Sequence, residues 1–285
     1  MVRLCIALWM ASLWLPIATW AGWVIEHVEY ANPGAERTKT VQYISKNRLK
    51  AVTEGSMFIM HFPQDSFTAT DQENRVYWSG TVQEYVQEVQ KFQQAAMGLA
   101  RQQMQDAMQE MSPEQRKGME DLLKQLGNPA APSPPQPPDK RPRVTVERTQ
   151  ENATIAGYNA TKALVYSDGK PYQEVWLAKS LDLKGDLDLK RMRSLQAKLT
   201  KAILPETSSS QAVEDDPLYE KIFDEGYPVK IVEFGEGGEP ESITEVAQVE
   251  KRDLSDKEFQ PPEGYRRIDL RQFFGEELEK MKRGE

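Results

Sequence analysis

Thr161-Lys-Ala-Leu-Val-Tyr-Ser-Asp-Gly-Lys-Pro-Tyr-Gln-Glu-Val-Trp-Leu-Ala178 reads as two β-strands joined by a tight turn. A long strand covers Thr161 to Tyr166, the return strand runs from Tyr172 to Ala178, and Ser167-Asp168-Gly169-Lys170 supplies the turn chemistry between them. A hairpin of this kind belongs to an antiparallel sheet. Upstream of it, Val144 and Val146 alternate with Thr145 and Glu147, and Gly157-Tyr158 breaks the chain after Thr154-Ile155. Downstream, Tyr227 to Phe234 and Ile243 to Lys251 pair across Gly235-Glu236-Gly237-Gly238.

The same texture fills Trp23 to Trp78. Val24, Val28 and Tyr30 share one parity, Asn32-Pro33-Gly34 makes a turn, and Val41 and Tyr43 line one face of a strand from Thr38 to Ser45. Met57-Phe58-Ile59-Met60-His61-Phe62 is apolar at both parities, which predicts a strand covered on both faces. Arg75 to Trp78 forms a further strand.

Between these two β-rich stretches the pattern changes period. Thr81 stands three residues before Glu84, the spacing of a capping box, and Val82, Tyr85, Val89, Phe92, Ala96 and Leu99 follow at helical steps. Ser112-Pro113 restarts a second helix that runs to Leu126 before Gly127. The segment from Val82 to Leu126 holds eleven Gln and five Met, so its apolar stripe is weaker than that of a Leu-rich core helix. Pro129 to Pro142 contains seven prolines in fourteen residues and is an exposed, polyproline-like connector. Asp186 or Asp188 caps a helix from about Leu189 to Leu204; Thr207 to Asp216 reads as a polar loop, and Leu270 to Met281 as a final helix.

The N-terminus carries a different message. Arg3 precedes an apolar run from Leu4 to Trp20, closed by small Ala21, which is the order of a secretory signal peptide. The run is long enough to cross a bilayer at ~20 residues, but Pro16 and the β patterning from Trp23 favour cleavage after Ala21. Export would remove Cys5, the only cysteine, and Arg3, leaving 264 residues with 35 basic and 44 acidic side chains, a net charge of −9. A surface of that sign excludes nucleic acid as a partner, and the absence of thiols excludes disulfides and cysteine chemistry. The organisation expected is a signal peptide over 1–21 and one domain over 22–285, with a helical arm at 81–127 and a Pro-rich loop at 128–143.

Motifs for common chemistry are missing: no GxSxG, HExxH, GxGxxG or phosphate loop is present. His27 and His61 sit in extended apolar runs and read as half-buried strand residues. Met104, Met108 and Met111 share a helical face, and clustered thioethers suit Cu(I); with no His or Cys beside them, filling an irregular interface explains them better. Asp182, Asp186 and Asp188 lack the alternating ligands of a calcium loop and fit helix capping. Glu26, Glu147 and Glu174 are widely separated carboxylates that name no catalytic pair, so a carboxylate hydrolase acting on an envelope polymer is only an alternative. No cofactor is expected.

The run Asn152-Ala-Thr-Ile-Ala-Gly-Tyr-Asn-Ala-Thr-Lys-Ala163, then Asp168-Gly169 and Glu174-Val-Trp176-Leu-Ala178, resembles an uncharacterised family of secreted bacterial proteins. Leu254-Ser-Asp with Phe259, and Pro262 with Gly264-Tyr265, resemble the family's tail. That family is similar in fold to periplasmic lipoprotein carriers of the LolA and LolB type, in which an incomplete antiparallel barrel wraps around helices. The resemblance implies an α+β fold, a curved antiparallel sheet of about eight to eleven strands with helices on its concave side. It implies a periplasmic or secreted binding protein for a lipid, another apolar ligand or an envelope protein partner, with no membrane span after cleavage. Tyr43, Phe62, Trp78, Tyr158 and Trp176 fall on strands and are the candidates for a concave apolar lining.

Overall fold

The computed structural model describes residues 21–32, 34–110, 142–203, 209–235 and 237–273. Residues 1–20 of the expected signal peptide, residues 111–127 of the expected helical arm with Met111, almost all of the Pro-rich connector, and residues 274–281 of the expected final helix lie outside the described residues.

The first strands are β1 (Ala21–Tyr30), β2 (Thr38–Ser45), β3 (Arg48–Thr53), β4 (Ser56–His61), β5 (Ser66–Asp71) and β6 (Val76–Thr81). Helix α1 (Val82–Glu110) follows, and then β7 (Val144–Ile155), β8 (Tyr158–Ser167) and β9 (Lys170–Ala178). Three helices come next: α2 (Leu189–Ile203), α3 (Ser209–Glu214) and α4 (Pro217–Ile222). β10 (Tyr227–Phe234), β11 (Pro240–Asp253) and the short β12 (Arg266–Arg267) are the remaining strands among the described residues, and residues 270–273 are helical. All twelve strands belong to one curved, unclosed sheet, ordered β12-β6-β5-β4-β3-β2-β1-β11-β10-β9-β8-β7. Neighbours are antiparallel except β12, which runs parallel to β6. The fold is thus α+β, an incomplete barrel, and the two-residue β12 takes it one strand past the range expected from sequence.

Local chemistry explains the elements. Ser167 pairs with Lys170 across Asp168 and Gly169, whose φ values of 50° and 78° are those a two-residue hairpin turn demands. At the start of α1 the capping box forms in both directions: the Glu84 amide donates to Thr81 Oγ1 at 3.1 Å, and the Thr81 amide donates to Glu84 Oε2 at 2.7 Å. Asp188 caps α2 by accepting from the Arg191 amide at 2.9 Å. Asp186 instead accepts from Trp23 Nε1 at 2.8 Å, and Asp182 from the Lys184 amide at 3.0 Å.

The inner face of β1 to β6 carries Trp23, Ile25, Ile44, Leu49, Met60, Phe67 and Trp78, and packs against Val82 and Tyr85 of α1 and Leu195 of α2. The outer face of β1 to β4 holds Val24, Tyr43, Val52, Met57 and Ile59 beneath Leu254 and Phe259. β4 is therefore covered on both sides, as its composition requires. The segment that covers it leaves β11, crosses outside the sheet and returns to β6 as β12. It is pinned by Arg48–Asp256 at 2.9 Å, by Arg48 stacked on the Phe259 ring, and by a hydrogen bond between His61 Nε2 and the Phe259 carbonyl. Gly22 lets it approach: a Cβ there would come within 2.5 Å of Leu254 Cδ1.

A second core joins Val144, Ala163, Val165, Val175 and Leu177 to Val213, Tyr219 and Ile222. Here the structure differs from the expectation for Thr207 to Asp216. Residues 209–214 form α3, which buries Val213 completely, and Asp216 then caps α4 by accepting from the Leu218 amide at 2.8 Å. One apolar residue in a polar run was enough to dock the segment. Among the described residues no helix is long and apolar enough to cross a membrane.

Candidate functional site

Apolar side chains occupy the inner face of β1 only as far as Ile25. The next two inward positions are His27 and Glu29; on β2, Thr40 lies opposite His27, and Gln42, opposite Ile25, shares the same inner face. At this level the sheet carries two bulges, one in β11 opposite Glu26 and His27, the other in β10 between Pro228 and Lys230. Bulges bend the sheet and re-aim side chains. The result is a recess of about 320 Å³ lined by His27, Glu29, Thr40, Gln42, Tyr227, Val229, Ile231 and Thr244, with Gln196 of α2 at its side.

The floor of the recess is a polar triplet. The Tyr227 hydroxyl lies 3.3 Å from His27 Nε2 and donates to Gln42 Oε1 at 3.4 Å. Burial pushes the His27 pKa down to about 4, partly opposed by its hydrogen bond to Gln42, so the imidazole is neutral at pH 7. Burial also raises the Tyr227 hydroxyl well above its ordinary value, so it stays protonated. Ile231 and Pro228 supply the accessible apolar wall, Val229 being fully buried. Glu29, exposed at the rim, accepts from Ser242 Oγ at 3.4 Å.

The five aromatic candidates are distributed differently. Phe62 is buried in the main core, where its carbonyl accepts from Arg191 Nε at 2.7 Å. Trp78 meets Phe67 and Tyr85 of α1 at tilted ring planes, centroids 6.4 and 5.7 Å away, and Phe67 meets Tyr85 edge-on at 4.8 Å. Tyr158 and Trp176 border the same core from β8 and β9; Trp176 Nε1 donates to Glu174 Oε1 at 2.6 Å, and Lys162 lies over its ring. Tyr43 is on the outer face, flanked by Lys50 and Arg252. Phe62 and Trp78 are thus brought together with Tyr158 and Trp176 around one core, Tyr43 is not, and none of the five lines the recess. The recess residues carried a faint signal at most: His27, Gln42 and Thr40 interrupt an alternation that is otherwise apolar.

Of the methionines, the side chains of Met104 and Met108 and the whole of Met111 lie outside the described residues; Met97 is exposed. The three carboxylates stay apart: Glu26 pairs with Lys39 at 2.5 Å, Glu147 accepts from Tyr166, and Glu174 faces Trp176 and Lys162. Another acidic pair stands out. Burial raises the pKa of both Glu214 and Glu233, and the Glu233 charge raises Glu214 further. Both move the same way, whereas acid–base catalysis needs two groups pushed apart. A second recess of about 350 Å³, between Trp78, Glu84, Glu88, Arg267 and Arg271, is satisfied internally: Arg267 donates to the Ser79 carbonyl and Arg271 pairs with Glu88.

Residues 82–265 match the family described as a domain of unknown function, DUF4412, and the chain belongs to that family. No curated protein matches the sequence. Among solved structures, an uncharacterized conserved protein from Thermus thermophilus is similar over 87% of this chain and 90% of its own, at 7% identity and a TM-score of 0.41. PNGF-II is similar over 91% of this chain but 33% of its own, at 12% identity and a TM-score of 0.37. MucB in complex with MucA(peri) is similar over 88% of this chain and 58% of its own, at 8% identity and a TM-score of 0.33. These likenesses are loose, and the fold rests on the sheet's own topology.

Proposed function

We propose that this protein is an exported, non-enzymatic binding protein of the bacterial cell envelope, used in the manner of the LolA and LolB carriers, and that its ligand sits in the recess beside α2. One observation carries the reading. On the inner face of the sheet, a continuous apolar core gives way to an open recess of about 320 Å³, a size within the usual range for small-molecule sites. Its lining combines an apolar surface at Ile231 and Pro228 with converging polar groups, among them His27, Gln42 and Tyr227. The apolar segment behind Arg3 supports export, and the fold resemblance supports carriage by analogy alone.

Native mass spectrometry of protein purified from the periplasm tests it. The expected result is a mature chain beginning at Gly22 with a small molecule attached, absent from an Ile231→Trp variant whose indole fills the recess. A bare protein mass for the wild type, or equal ligand retention by the variant, would count against it.

A further inference from the structure

The charge of the recess lining restricts what it can hold. Of the residues that form it, Glu29 alone carries a formal charge at neutral pH, and neither Lys nor Arg contributes to the wall. The nearby lysines of β2 and β10 are engaged elsewhere: Lys39 pairs with Glu26, and Lys230 with Glu245 at 3.7 Å. The surroundings add to the same sign. Glu233 feels the charges of Glu29 and Glu241, so the negative region extends outward from the rim. Within the recess Thr40, Gln42, Thr244 and Tyr227 offer dipoles but no counter-charge for an anion.

We infer that the recess selects an amphiphile with a cationic head, an ammonium group held at Glu29 with its apolar part against Ile231 and Pro228, and that it rejects carboxylate- and phosphate-headed lipids of the same length. The inference rests on the reading of the recess as the binding site. Glu29 is placed for the task because Ser242, its hydrogen-bond partner among the described residues, engages one oxygen at 3.4 Å, which leaves the second oxygen for a ligand N–H. Burial holds His27 neutral, so no second cation competes for Glu29 at pH 7. An anionic head would face Glu29 in a partly desolvated site, where like charges are poorly screened.

Three probes of one chain length separate the possibilities: octylamine, octanol and octanoate, titrated into the mature protein at pH 7 by calorimetry. Octylamine is expected to bind at least tenfold more tightly than octanoate, with octanol between them. Glu29→Gln should bring octylamine down to the octanol affinity and leave octanol unchanged, while Ile231→Trp should abolish all three. Equal affinities for octylamine and octanol, or tighter binding of octanoate, would overturn the charge selectivity while leaving the recess as a binding site. No binding of any probe would overturn both. Because Glu29 is exposed on its strand, the Glu29→Gln protein is expected to keep the wild-type melting temperature, so a lost preference reads as lost charge.

Discussion

Two ends of one sheet face are built from the same backbone and do opposite things. At the β5–β6 end, Phe67, Trp78 and the α1 residue Tyr85 fill the inner surface with three rings in mutual contact. At the β1–β10 end, His27, Gln42 and Tyr227 hold one another by long hydrogen bonds and leave space above them. The difference lies in two features of sequence: side-chain size at inward positions, and bulges that bend β10 and β11 away from flat pairing. Core and recess are thus separated by a few strand positions, not by a domain boundary.

The comparison predicts unequal responses to substitution. Trp78→Ala should cost about 3–5 kcal/mol in urea unfolding, because the rings around it relax only partly into the hole. A loss below about 1 kcal/mol would show that the β5–β6 end is as loosely filled as the recess. The pH dependence comes next. His27 takes up a proton near pH 6.5 when unfolded but only near pH 4 when folded, so the unfolded chain binds more protons between those values. Stability is therefore retained above pH 6.5 and falls by up to about 3 kcal/mol as pH drops to 4. The groups facing His27 are Gln42, Tyr227 and the rim residue Glu29; Tyr227 does not titrate in this window. The difference between wild type and His27→Gln across that range isolates the effect, and parallel curves would contradict it.

Smaller effects sharpen the contrast. Thr81→Ala removes half of the capping box that holds α1 over the filled end, and should lower stability by about 1 kcal/mol. Thr40→Val, in the recess, should change stability by no more than about 0.5 kcal/mol, since the side chain closes no core. A larger loss there would mean that the recess is structural.

What the sequence made legible was local. The Asp168-Gly169 turn, the Thr81–Glu84 box, the cap at Asp188 and the two-faced β4 strand each depend on residues a few positions apart, and each forms as its composition implies. Membership of the uncharacterised family was readable for the same reason, through short motifs around Gly157 and Trp176. The recess was not legible. It exists because β1 lies beside β11, because two bulges fall at one level, and because α2 passes nearby. No nearest-neighbour pattern encodes any of these. Tyr43 illustrates the limit: alternation tells which residues share a face, but the side on which helices sit is decided by α1 and α2, and they lie opposite Tyr43.

The pairing of β1 with β11 has a consequence for how the chain acquires its shape. Tyr30 finds its partner Ile243 only after nearly the whole polypeptide has been made. The first six strands can zip together by successive hairpins, but one margin of that meander, the far side of β1, keeps its amide and carbonyl groups unmatched until the last long strand arrives. Contacts so distant along the chain slow folding, and an open margin invites pairing with a neighbouring molecule. The step that joins the two blocks, the docking of β11 on β1, is therefore the slow and vulnerable moment in this protein's assembly.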